Sequence, residues 1–160
     1  MSDDRILMTP AEVAALAFGG EENVACEAVT EASILAAQSR YLRPVVGDAL
    51  YARLLAGDYP ELVDKWLKPP LALFVKSAAL PEVSARVAAV GVVRCEGEWF
   101  SPADGDAVRL LQRRVRMEAE ELLDEAVRHI RSEHVRYPEY DDTANVRCRV
   151  SVVGGVVLCG

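Results

Sequence analysis

Apolar positions recur at helical spacing over most of the chain, and each run is punctuated by a cap, a proline or a glycine. Thr9-Pro10-Ala11-Glu12 has the form of a capped start, with Thr9 as N-cap, Pro10 in the first turn and Glu12 closing a capping box. It predicts a short helix through Ala17 that stops at Gly19-Gly20. A second helix is expected over 24–42, with Ala28, Ala32, Leu35, Ser39 and Leu42 as a narrow stripe of small residues, ended by Arg43-Pro44. A third runs from Pro44 to Ala56 on Val46, Leu50 and Leu54 and ends at Gly57-Asp58. A fourth starts at Tyr59-Pro60-Glu61. Lys68-Pro69-Pro70 should break or kink it, because proline lacks a donor and clashes with the preceding turn. Helix resumes from Leu71, with a further kink expected at Pro81.

The period then changes. Val87–Cys95 is valine-rich and contains Gly91, and Glu96-Gly97-Glu98 reads as a turn, so a short β or extended segment is expected near 87–98. Ser101-Pro102-Ala103-Asp104 opens the longest helix, about 102–136. Its stripe is Val108, Leu111, Val115, Ala119, Leu122, Ala126 and Ile130, widened by Leu123 and Val127, and Tyr137-Pro138 stops it. Beyond 143 the period is two: Val146, Cys148, Val150 and Val152 alternate with Arg147, Arg149 and Ser151. Gly154-Gly155 then turns the chain toward Val156–Leu158, which predicts a C-terminal β-hairpin. The expected fold class is mainly α, a helical bundle with one long C-terminal helix, the segment near 87–98 and the hairpin. The division is a helical domain over 1–142 and an arm over 143–160.

One magnitude bears on assembly. A helix of ~35 residues is ~52 Å long, whereas a compact globule of this chain length is roughly 40 Å across. The long helix should therefore outrun its own cover. A lone two-stranded hairpin is barely stable in water and should seek a partner, most economically a second copy.

Composition adds restraint. Apolar residues are 51% of the 160, mean hydropathy is +0.10 and aromatics are 6%, which excludes intrinsic disorder and suits packed helices. The formal charge of −7 argues against sequence-specific nucleic-acid binding. Seven of the 25 acids (Asp3, Asp4, Glu12, Glu21, Glu22, Glu27, Glu31) lie in residues 1–31 against one base, Arg5, so the rest is nearly neutral. The last residues carry Arg147 and Arg149 and no acid. The acidic opening predicts no export signal, no apolar run is long enough to span a membrane, and Cys26, Cys95, Cys148 and Cys159 read as reduced thiols.

Candidate chemistry is sparse. His129 and His134 are five apart and share no helical face, and the serines have no GxSxG context. No phosphate loop follows a strand, and no metal or cofactor is expected. The acids Glu118, Glu120, Glu121, Asp124 and Glu125 read as a salt-bridged face through Arg114–Glu118, Arg116–Glu120 and Asp124–Arg128. Arg113, Arg114 and Arg116 form the one basic knot and suit an ion network between subunits. Trp66 and Trp99 are expected as core or interface anchors. The candidate interface is thus Arg113, Arg114, Arg116, Glu120, Glu121 and Arg128 on the long helix, and Val146, Cys148, Val150, Val152, Val156 and Leu158 on the arm.

The order of motifs carries a resemblance. Tyr41-Leu42-Arg43-Pro44 precedes Val46-Gly47-Asp48-Ala49-Leu50-Tyr51, then Lys68-Pro69-Pro70-Leu71-Ala72, Leu80-Pro81 and Gly91-Val92-Val93. Ser101-Pro102-Ala103 and the long helix close on Tyr137-Pro138-Glu139-Tyr140, and the chain finishes Gly155-Val156-Val157-Leu158-Cys159-Gly160. Over roughly 30–160 this resembles the head–tail connector (neck or adaptor ring) proteins of tailed phages and prophages, from which the doubled Pro69-Pro70 departs. The resemblance implies a non-enzymatic virion protein made in the bacterial host cytoplasm, one subunit of a homo-oligomeric ring, commonly a dodecamer. Its implied partners are the portal protein, a tail or stopper protein, and DNA that passes through without sequence-specific binding; no membrane is involved. An acidic lumen would let DNA slide, since few phosphates would be neutralised. The alternative expectation is a small adaptor or regulatory module that binds one partner through its C-terminal hairpin.

Overall fold

The computed structural model describes residues 5–19, 28–94, 105–148, 150–153 and 156–159, with side chains over 5–19, 28–85 and 105–147. Helix α1, Pro10–Phe18, begins at the expected capping box: Thr9 accepts from Glu12 N and Glu12 accepts from Thr9 N. It ends on Gly19 at φ 71°, where a left-handed residue without Cβ closes the last turn.

The next segment is divided differently from the expected 24–42. Of that span, 24–27 lie outside the described residues. Thr30, extended at φ −116° and ψ 159°, caps a new helix α2, Glu31–Ala37, through a box with Ser33. The cap resets the helical phase. The buried face is Ile34, Ala37, Gln38 and Leu42, while Ala32 and Ser39 of the expected stripe are exposed. A widened π turn, Gln38–Leu42, leads into α3, Arg43–Val46. Gly47 at φ 81° separates it from α4, Asp48–Ala56, so the expected third helix is two.

Helix α5, Pro60–Leu62, passes through a second π turn, Val63–Leu67, into α6, Lys68–Arg94. Pro69 and Pro70 thus do not break the chain. They sit in the opening turn of α6, and the widened turn before them absorbs their missing donors. Pro81 lies inside α6, which continues past it.

The expected fold class is corrected here. Residues 87–94, expected as a β or extended segment, are the last turns of α6. Extending a helix already nucleated costs little per residue, so a valine-rich stretch follows the helix it inherits. The turn at 96–98 and the start at Ser101-Pro102 lie outside the described residues. The hairpin contributes no layer either: the described body is helical. Backbone pairing at the chain end is confined to β1, Val150–Val153, against β2, Val156–Cys159, in register Val150 with Cys159 and Val153 with Val156. Their side chains and Gly154-Gly155 are outside the described residues.

The long helix α7 is described over Gly105–Ser132 and ends at Ser132 rather than at about 136; the expected start at 102–104 lies outside the described residues. Its 28 described residues span about 42 Å. Helices α6 and α7 form an antiparallel hairpin. Trp66 stacks on His129 at one end, and Ser77 bonds Gln112 further along. Against this hairpin pack α1 and α2, and the core gathers Val13, Ile34, Leu42, Leu50, Leu71, Val75, Ala119, Leu123 and Ile130. Tyr41 and Phe74 stack at 4.2 Å across it.

Candidate interaction surface

The two halves of α7 have different surroundings. From Val115 to Ile130 the expected stripe is buried on Val115, Ala119, Leu123, Ala126, Val127 and Ile130. From Gly105 to Arg114 no residue is buried. Val108 is half-covered, and Leu111, expected in the core stripe, is 45% exposed. The solvent side of the same helix carries Leu110 at 69% and Met117 at 63% exposure. Two large apolar side chains seven apart, away from the core, form a surface that water does not favour.

Charge surrounds them. Arg113 and Arg114 are exposed and the described structure gives them no ion pair, so the expected Arg114–Glu118 pair does not form. Arg116 reaches Glu120 at 3.0 Å and covers the Tyr41 ring at 5.5 Å. Glu121 is exposed and also unpaired among the described residues. Arg128 pairs with Glu125 at 3.7 Å rather than with Asp124. Asp124 is taken by Arg147, at 3.0 Å, which ties the start of the arm to α7. The structure thus keeps Arg113, Arg114, Arg116, Glu120, Glu121 and Arg128 on one helix, but most of their expected partners differ. Val146 is 45% exposed. The side chains of Cys148, Val150, Val152, Val156 and Leu158 lie outside the described residues, as do Cys26, Cys95, Trp99 and the acids Asp3, Asp4, Glu21, Glu22 and Glu27.

A second feature was hidden from the sequence. His129 is half-buried and lies flat on Trp66, with ring centroids 4.4 Å apart, and Tyr137 meets its edge at 6.1 Å. Tyr59 packs edge-on against Tyr137. Trp66, His129 and Tyr137 border a cleft of about 610 Å³ between α5 and the end of α7, rimmed by Glu61, Lys65, Glu133 and Arg136. Arg136 reaches Glu61 at 2.6 Å across it. Tyr59 donates to Glu139 at 2.9 Å; this bond raises the phenol's pKa. Glu139 is held below the usual carboxylate range, first by its own backbone N–H and then by Tyr59. The aromatic spacing, 59, 66, 129 and 137, crosses elements far apart in sequence, so no local pattern marks it. His134 is exposed.

Among the described residues no group of three His, Cys, Asp or Glu could hold a metal ion, and no helix is long and apolar enough to cross a membrane. What the geometry defines is an all-helical body that presents an apolar and charged helix face. The model of a family of unknown function (DUF6712) matches residues 22–150, and the chain belongs to that family. No curated protein and no solved structure matches it.

Proposed function

We propose that this chain is a structural subunit of a head–tail connector ring, seated between portal and tail and extending the DNA channel. It would be made in the host cytoplasm, occupy the virion neck and act without catalysis. The observation that supports this most is the first half of α7, where no residue is buried and Leu110 and Leu111 stand in solvent. A subunit that keeps apolar surface open on a rigid helix is suited to finishing its burial in an assembly. The acidic balance of −7 suits a passage for DNA, because phosphates find few cations to hold them.

The test is co-expression with a phage portal protein, followed by light scattering and negative-stain imaging. The expected result is a portal-bound ring of this chain. A chain that never associates with a portal ring overturns the reading; a monomer in isolation does not, since the portal can template the ring.

A further inference from the structure

We infer that two copies of the free chain pair antiparallel through the exposed face of α7, with Met117 on the two-fold axis. The face is read along one line of the helix. In order come Leu110, Arg113 with Arg114, Met117 and Glu121, all exposed. Between Leu110 and Glu121 the basic residues of this face lie before Met117 and the acidic one after it. An antiparallel partner reverses that order, so each residue meets the one equally far beyond Met117.

The consequences are specific. Arg113 meets the partner's Glu121, four places to either side of the axis, and Arg114 flanks the same carboxylate of the partner. Asp106 and Arg128, eleven places out, face each other in the same way. Met117 meets its own copy, an apolar contact at the centre. Asp124 falls opposite Leu110, but Arg147 already holds it within its own chain. Arg113, Arg114 and Glu121 are the residues of this face that have no ion pair of their own among the described residues. The pairing supplies each with one.

A parallel pair in register would set Arg113 against Arg113 and Glu121 against Glu121, and like charges opposed are destabilising. Copies set side by side in a ring run parallel. The two-fold pair is therefore a property of the free chain, distinct from a ring contact, and does not rest on the connector reading. It closes on itself and cannot propagate.

The test uses the full chain in sedimentation equilibrium at low ionic strength, with two single variants, Arg113→Glu and Glu121→Arg. Both sites are exposed and unpaired, so folding is checked simply by circular dichroism. Wild type should dimerise, and each variant alone should associate about tenfold more weakly, since two symmetric contacts turn from attractive to repulsive. An equimolar mixture of the two variants should recover an affinity within about threefold of wild type, because opposite charges face again. A wild type monomeric up to about 1 mM, variants that dimerise as wild type does, or a mixture that stays monomeric each overturn the pairing. None of these outcomes touches the portal experiment, whose own failure would leave the pairing standing.

Discussion

Gln38 is the most consequential polar residue in the body. It is fully buried, and its amide is used at both ends. Oε1 accepts from Leu7 N at 2.8 Å, while Nε2 donates to Arg5 O at 3.2 Å and to the Tyr51 hydroxyl at 2.9 Å. One side chain thereby fastens residues 5–7 to the π turn that follows α2 and to α4. Gln38→Leu keeps the volume but removes the partner of the Leu7 amide and of the Arg5 carbonyl. The expected cost is a fall in Tm of about 5–10 °C, with the Leu7 amide newly open to hydrogen exchange. Lys68 plays a comparable part at the surface, bridging Glu12 and Asp64, each at 2.7 Å. The Lys68 hydrogen bond holds the Glu12 carboxyl below its ordinary pKa, and the two carboxylates raise that of Lys68. A lowered carboxylate pKa contributes stability above its unfolded value and loses it as pH falls through the folded one; a raised lysine contributes below its unfolded value. The bridge therefore works across neutrality. The Tm difference between wild type and Lys68→Met should be widest at about pH 7 and close as the protein is taken to about pH 3. A difference that stays constant over that range would show that the bridge contributes nothing to folding.

Proline in a helix exposes a debt that another element settles. Pro81 has no N–H, so the carbonyl of Ser77, one turn earlier in α6, lacks its usual helical donor. Gln112 of α7 donates to that carbonyl from Nε2 at 2.9 Å, and Ser77 Oγ donates back to the Gln112 carbonyl at 3.2 Å. The proline thus creates the docking point at which the two long helices register. Gln112→Leu should cost about 1–2 kcal/mol in wild type but much less in a Pro81→Ala background, where an alanine N–H can reach the Ser77 carbonyl. Chemical denaturation of the four proteins measures the coupling, and independent, additive effects would refute the arrangement. The same residues show what local pattern can and cannot reveal. Caps at Thr9, Gly19 and Gly57 were legible, because each acts within one turn of chain. The fate of the prolines was not. Whether Pro81 ends a helix depends on Gln112, 31 places later, and whether 87–94 is strand or helix depends on the α6 it extends.

At the scale of the molecule, α7 has two faces with separate duties. Its buried stripe was legible from Val115 onward, since helical periodicity alone selects Ala119, Leu123, Ala126 and Ile130. The same periodicity placed Leu111 in the core, and there it failed, because it cannot show where the covering elements end. The candidate charges were found, yet their partners depended on the position of the arm, which brings Arg147 to Asp124. Leu110 and Met117 were not singled out at all. On an amphipathic helix they fall on the polar side, where two apolar residues among charges look incidental. Their exposure makes a direct separation of folding from assembly possible. Leu123 is 1% exposed within the core, so Leu123→Ala should destabilise by about 2–5 kcal/mol through the cavity it leaves. Leu110→Gln combined with Met117→Gln removes apolar surface that the body never buries, and Tm should move by no more than about 2 °C. Association should respond in the opposite order. The double glutamine variant should lose self-association while still folded, and Leu123→Ala should retain it at any temperature where it remains native. If instead the glutamines lowered Tm as far as the alanine does, the exposed face would belong to the fold of the single chain rather than to its contacts.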